Sequence, residues 1–406
     1  MSFVYGNYRL FISHLSDTSR LLWNTTRMNQ FVQKSTMNTS VSAINTPNRH
    51  HVTTICQSYV PTAFSSIRNQ SSQTVQQNHI QPQLDPFKLV KNDLDSLFVD
   101  IRHELNTGFP ELKEIANYYF DGQGKAIRPL ISILTARAFN HHLSGKSDLM
   151  SSQKQVSLII EMIHTASLIH DDVIDAADTR RGKPSVNVLW GQKKSIFAGD
   201  FVISRGSQML ARLNSNELIL MLSEAIIDLV LGEFMQMGSK EDVEERFAHY
   251  IQKTFKKTAS LIAYTCKAVT YLSGANEELQ EAAFQYGRNL GIAFQLVDDL
   301  LDFVSNQVEL GKPAANDLKL GLATAPVLFA CEKFPELNEM IMRRFSEEGD
   351  VEKAYDAVHK SDGLEKTRIL ARKHADEAAR HISIISDCPE RQSLLMLCDM
   401  VLNRKK

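Results

Sequence analysis

Two stretches of this sequence carry three carboxylates at the same helical spacing, and no other feature limits the fold as much. Ile160–Gly182 reads IEMIHTASLIHDDVIDAADTRRG and holds Asp171, Asp172 and Asp175. Gly291–Phe303 reads GIAFQLVDDLLDF and holds Asp298, Asp299 and Asp302, again at i, i+1 and i+4. At about 100° per residue, the first and third carboxylates of each set share one helix face. His164 lies seven residues before Asp171, and Gln295 seven before Asp302, so each falls nearly in line with its set. Each set follows an apolar run, which suits a cleft better than a solvated acidic helix end. Carboxylates spaced this way repel one another unless a cation sits between them. Opposed across a cavity, the two sets would make a hard-oxygen site for Mg2+, an ion usually held by a few carboxylates with phosphate and water completing its octahedron. Arg180 and Arg181, just after the first set, would then pair with phosphate oxygens.

The surrounding pattern is helical throughout. From Asp85 onward the segments 86–105, 127–141, 153–170, 194–213, 216–237, 244–273 and 277–303 carry 3.6-residue periodicity, and Pro110 is placed to open a further helix. Short turn-like separators divide them, at 121–124, 182–184, 238–239 and 274–276, and alternating β-branched strands are missing. The expectation is one all-α domain, residues 85–406, of ten or more helices around a central cavity. A hydrophobic content of 43% in 406 residues is enough for a sizeable core. The net charge of −2 gives no general attraction to nucleic acid or an anionic membrane. Five cysteines without CxxC spacing argue against a disulfide framework or a zinc site and for buried free thiols. No charge-free apolar window reaches the ~18 residues a spanning helix needs.

Residues 1–84 read differently. They contain one acidic residue, Asp17, against six basic ones, and Ser, Thr, Asn and Gln dominate. Acid-poor, Arg-bearing and Ser/Thr-rich is the profile of a mitochondrial transit peptide, and the Gln/Ser-rich tract 65–83 reads as a disordered linker.

These motifs resemble the trans-polyprenyl diphosphate synthase family, within it the subunit-1 branch of long-chain (decaprenyl or solanesyl) enzymes that make the ubiquinone side chain. The resemblance covers about residues 85–406. It rests on GKAIRP at 124–129, IHTASLIHDDVIDAADTRRG at 163–182, GEFMQM at 232–237, KTA at 257–259, FQLVDDLLDF at 294–303 and GKPAANDLKLGLATAP at 311–326, in this order. It implies the isoprenoid synthase fold and a mitochondrial-matrix enzyme that extends an allylic diphosphate with isopentenyl diphosphate, using Mg2+.

The resemblance also implies roles residue by residue. Lys125, Arg128, His164 and Arg181 would hold isopentenyl diphosphate, and Arg180, Lys257 and Thr258 the allylic diphosphate. Gln295 would face the reacting chain, and Asp171, Asp175 and Asp298 would bind metal, with Asp172, Asp299 and Asp302 completing the catalytic sets. Glu233 and Gln236 read as support for the cavity wall. Ala166 and Ser167, five and four residues before Asp171, are small where short-chain members typically have aromatics, so a growing tail could pass. Two departures stand out. GKAIRP has Gln123 and Ala126 where the usual form has glycine and arginine. Leu322 replaces the lysine that in many members reaches the leaving diphosphate, with Lys312 and Lys319 the nearby cations to compensate.

Four other readings compete. A terpene cyclase shares the fold but normally lacks a second DDxxD. A non-catalytic or regulatory subunit tends to lose its acidic motifs, and both are intact here. A helical protein with two structural acidic patches explains neither the arginine pair nor GKxxRP. A shorter-chain (geranylgeranyl or farnesyl) synthase differs only in product. The subunit-1 likeness implies a hetero-oligomer with a second, non-catalytic synthase subunit, with a homodimer as the alternative, and an apolar product implies peripheral membrane contact for its release.

Overall fold

Apolar residues at helical spacing, broken by short polar turns, fold as the pattern predicts. The computed structural model describes residues 84–122, 124–238, 243–304 and 315–404, all within the unit His79–Lys406. The expected transit peptide and linker therefore fall, but for Leu84, outside the described residues.

The chain opens with α1 (Pro86–Leu89), α2 (Lys91–Glu104) and α3 (Pro110–Asn117), so the expected helix over 86–105 breaks at Val90. Next come α4 (Ile127–Ser144) and α5 (Ser151–Ile174). A two-residue hairpin of β1 (Thr179–Arg180) and β2 (Lys183–Pro184) follows. Its turn residues, Arg181 at φ 54° and Gly182 at φ 76°, both sit in the left-handed region that such tight hairpins require. The separator expected at 182–184 is therefore half of a hairpin. Then come α6 (Val186–Trp190), α7 (Gln192–Arg212), α8 (Asn216–Met237) and α9 (Val243–Thr254). A single π-turn, Phe255–Ala259, joins α9 to α10 (Ser260–Leu272), interrupting the run expected over 244–273. The rest is α11 (Glu277–Val304), α12 (Asn316–Lys319), α13 (Ala325–Ala330), α14 (Leu337–Met342), α15 (Asp350–Lys360), α16 (Gly363–Ile382) and α17 (Pro389–Leu402).

The core sits around α10. Its sequence, SLIAYTCKAVTYL, has one charge, and Leu261, Ala263, Cys266, Ala268 and Val269 are all buried. A helix apolar nearly all round belongs inside a fold, and α10 packs against α4, α5, α8 and α11. Close contact with α11 depends on small residues: a Cβ on Gly291 would stand 2.6 Å from the Cα of Ala259. Gly232 does the same for α8, where a Cβ would meet the Lys257 nitrogen at 2.8 Å. The π-turn is thus pressed between α8 and α11, which brings Lys257 and Thr258 beside the second acidic set. The four described cysteines are unbonded thiols, three of them buried. No described helix is long and apolar enough to cross a membrane.

Candidate active site

The first acidic set closes α5. Asp171 lies in its last turn and Asp175 caps it, the Asp175 amide donating to the Asp171 carbonyl at 2.8 Å. The middle carboxylate points elsewhere. Asp172 is fully buried and accepts from the Tyr119 hydroxyl at 2.6 Å and from Arg180 through Nε at 2.9 Å and Nη2 at 2.5 Å. It therefore fixes Arg180 instead of facing a ligand. Asp171 is pushed up to about 6, first by burial, then by the charges of Glu233 and Asp175, against the pull of Lys257 and Arg180.

The second set lies on α11 and is hydrogen-bonded throughout. Asp299 is buried and accepts from the Tyr250 hydroxyl and from Gln295 Nε2 at 2.9 Å. Gln295 Oε1 in turn accepts from the Thr258 hydroxyl at 2.9 Å, so Thr258, Gln295 and Asp299 form one chain of hydrogen bonds. Asp302 accepts from the backbone amides of Asn316 and Asp317, each at 3.0 Å. Asp298 is ion-paired with Arg404, whose guanidinium stacks 4.1 Å from the centre of the Phe294 ring. Between the two sets, Lys257 reaches Glu233 at 2.5 Å and Gln236 at 3.1 Å. Its charge acts on Asp171 and also on Asp317. Asp317 is pushed up to about 7 by burial and by the nearby Asp299 and Asp302. The two acidic sets therefore line one cleft.

A basic cluster forms the third wall. Arg128 in the first turn of α4 contacts His164 on α5, with Nη1 and Nε2 2.8 Å apart. Burial, then the charges of Arg128, Arg181 and Arg180, hold the His164 pKa well below its ordinary value. The imidazole is thus neutral, and it accepts from Arg128. Arg181 lies against Gly124 so closely that a Cβ there would stand 2.8 Å from its Nη1. GKAIRP and the RRG turn, distant in sequence, therefore meet. Both carry left-handed residues, Ala126 at φ 47° and Arg181 at φ 54°, a strain commonly stored at functional sites. Glu161, buried on α5, supplies the charge that opposes Arg128 and Arg181. Lys125 is exposed at the mouth of the cluster.

Ala166 is fully buried, with Ile163 and Ile160 further along α5. Ser167 is part-buried and turns its hydroxyl onto the His164 carbonyl at 2.8 Å, leaving an apolar edge toward its neighbours.

The family description "Polyprenyl synthetase" matches residues 109–358. Human all-trans-polyprenyl-diphosphate synthase PDSS1 is 55% identical over 322 residues, covering 79% of this chain and 78% of that protein. The chain belongs to the polyprenyl synthetase family. Among other relatives, the probable mitochondrial hexaprenyl pyrophosphate synthase of Yarrowia lipolytica is 40% identical, over 80% of this chain and 86% of that protein. Decaprenyl-diphosphate synthase subunit 1 of Schizosaccharomyces pombe is 41% identical, over 78% of this chain and 91% of that one. A solved polyprenyl synthase from Caulobacter crescentus, complexed with calcium and isoprenyl diphosphate, superposes with a TM-score of 0.70 at 30% identity, over 79% of this chain and 97% of that chain.

For this polyprenyl synthetase the fold adds residues that sequence reasoning passed over. Tyr119 and Tyr250 hold the two middle carboxylates, Asp317 joins the second set, and Arg404 covers Asp298. Asp317 stood in the quoted GKPAANDLKLGLATAP segment, but the two tyrosines and Arg404 carried no motif. Lys319 is exposed, and Lys312 lies outside the described residues.

Proposed function

We propose that this chain is an all-trans-polyprenyl diphosphate synthase that adds isopentenyl diphosphate units to an allylic diphosphate and supplies the side chain of ubiquinone. The observation that carries this reading is Lys257, whose charge acts on carboxylates of both acidic sets, so that a diphosphate in the cleft would meet both.

The residues fit a divalent cation. Asp171 and Asp317 are each raised first by burial and then by neighbouring carboxylates, as crowded hard-oxygen donors are. Among the described residues no three such side chains form a ready-made metal cluster. Mg2+ takes one or two carboxylates and lets substrate phosphate and water fill the rest. Asp171 and Asp175 would hold it on one side and Asp298 on the other, once Arg404 leaves that carboxylate. Bound there, Mg2+ would neutralise the allylic diphosphate and make it a better leaving group.

The protein's own groups do the remainder. Arg180, held on Asp172, and Lys257 place cations against the leaving diphosphate. Arg128, Arg181 and Lys125 clamp isopentenyl diphosphate, and neutral His164 fixes the Arg128 guanidinium. Orienting the two substrates makes the attack effectively intramolecular. The apolar wall along Ala166, Ile163 and Ile160 keeps water from the allylic cation that ionisation leaves. The proton lost from the new unit passes to the released diphosphate, so no protein nucleophile is needed. The product is a long chain whose tail passes the small residues Ala166 and Ser167, and its release involves peripheral contact with a membrane.

Residues 1–84 direct the protein to the mitochondrial matrix, a location supported by the mitochondrial name of its Yarrowia relative. The chain pairs with a second, non-catalytic subunit. Its support is twofold: the subunit-1 name of the fission yeast relative, and an apolar stripe on α8. Leu220, Ile227 and Phe234 recur every seven residues and are 65%, 49% and 68% exposed, a row that solvent would not favour.

The test is incorporation of labelled isopentenyl diphosphate with an allylic primer, by the chain alone and with candidate partner subunits. Turnover that stops on chelation and returns with Mg2+ is expected. No incorporation in any combination would overturn the reading.

A further inference from the structure

Three lysines precede the core helix α10, and the structure treats them differently. Lys256 is ion-paired with Asp228, and Lys257 with Glu233. Among the described residues, no hydrogen bond or ion pair closes on the ammonium of Lys253. It stands 5.5 Å from the centre of the Tyr250 ring and borders a small cavity of about 50 Å³, shared with Gln236, Arg246, Gly321 and Leu322. Burial lowers its pKa, and of the charges acting on it Asp299, Asp317 and Glu233 favour the cation while Lys257 opposes it. Lys253 is therefore a withdrawn, uncommitted cation beside the second acidic set. Across the same cavity Leu322 presents only an aliphatic side chain.

We propose that Lys253 supplies the phosphate contact that Leu322 cannot make, its ammonium donating to an oxygen of the allylic diphosphate that departs as inorganic diphosphate. The inference rests on the reading under Proposed function and adds to it the residue that completes the diphosphate's cationic shell. An ammonium on a four-carbon stem can swing from one wall of a 50 Å³ cavity to a ligand at its edge. It also brings positive charge between Asp299 and Asp317, which lets a dianionic group approach them. Lys319, exposed on α12, does not fill this role.

The experiment compares the full chain, with any partner it requires, against Lys253→Met and the double variant Lys253→Met/Leu322→Lys. It reads KM for both substrates, the melting temperature, and calorimetric binding of inorganic diphosphate with Mg2+. Loss of one charge-assisted hydrogen bond should raise the allylic KM and weaken inorganic diphosphate by about ten- to hundredfold. The isopentenyl KM and the melting temperature should hold steady. Restoring a lysine at position 322 should recover most of the lost affinity, because it returns the charge across the same cavity. An unchanged allylic KM and diphosphate affinity in Lys253→Met would overturn the proposal. So would equal losses for both substrates with a lowered melting temperature, or no recovery in the double variant. If the parent protein turns nothing over while Lys253→Met still weakens inorganic diphosphate, the synthase reading fails and the phosphate contact stands.

Discussion

The two acidic helices are alike at their middle carboxylate and different at the outer ones. Asp172 and Asp299 are each buried and each held by a buried tyrosine, Tyr119 in one case and Tyr250 in the other. Around them the environments diverge. On α5, Asp171 is raised by burial and then by the charges of Glu233 and Asp175. On α11, Asp298 carries Arg404, and Asp302 is spent on the amides of α12. The residue one turn before the first aspartate differs as well: Ser167 before Asp171, Phe294 before Asp298. Phe294 lies under the Arg404 guanidinium, whereas Ser167 turns its hydroxyl into its own helix. One repeated string thus builds two different surroundings, a raised carboxylate on α5 and a hydrogen-bonded, capped set on α11.

The largest expected effect falls on the first acidic set. Asp171→Ala should cost on the order of 10²–10³-fold or more in turnover, because it removes charge stabilisation at the leaving group and little packing. Circular dichroism should show unchanged helix content; near-normal turnover would remove α5 from the metal site. Asp298→Ala should also lose most turnover once substrate displaces Arg404, and equal activity to the parent would confine the chemistry to α5.

Product length tests the difference between serine and phenylalanine. Ser167→Phe should shift the product toward farnesyl or geranylgeranyl diphosphate while the first condensation survives. Ala166→Phe should do the same at lower stability, about 1–3 kcal/mol, since Ala166 is fully packed and a larger side chain must push the core apart. Mass spectrometry of the products distinguishes these outcomes. Full-length chains from both variants would put the tail along another wall.

Much of this was legible in the sequence, for a definite reason. Helix positions follow from 3.6-residue spacing, and the two acidic sets and the basic segments are local strings. What sets each carboxylate's state comes from afar. Tyr119 meets Asp172 across 53 residues, Tyr250 meets Asp299 across 49, and Arg404 meets Asp298 across 106. No local pattern encodes such pairs, and neither Arg404 nor Lys253 lies in a motif. The π-turn was hidden for a related reason: it is set by Gly232 and Gly291 letting two neighbouring helices approach, while the run 244–273 is helical in spacing. His164 lies in line with Asp171 in the sequence, but its contact with Arg128 and its neutrality depend on burial and on three arginines gathered by the fold.

The tyrosines probe what the two sets share. Tyr250→Phe should cost about 1–3 kcal/mol by leaving a buried carboxylate short of a donor. Tyr119→Phe should cost less, because Arg180 still holds Asp172. Urea unfolding measures both, and the reverse order would show that the Arg180 pair contributes little.

The smallest effect is on pH. Asp171 and Asp317 titrate near 6 and 7 in the fold, above the ordinary carboxylate value of 3.8. A carboxylate raised by folding retains its proton where the unfolded chain has lost it. The metal-free fold therefore loses stability as pH rises from about 4 to about 7, and divalent cations, which need bare carboxylates, bind more tightly over the same window. The rise in melting temperature on adding Mg2+ should be larger at pH 8 than at pH 6. A larger rise at pH 6 would contradict the carboxylate crowding.

The claim that both acidic sets grip one cation–diphosphate unit has a direct measurement. Mg2+ and a non-ionising thiolo analogue of the allylic diphosphate can be titrated calorimetrically into the parent protein, Asp171→Ala and Asp298→Ala. The account predicts tight, Mg2+-dependent binding by the parent and a loss of about tenfold or more in each variant. Full affinity in either variant would contradict it.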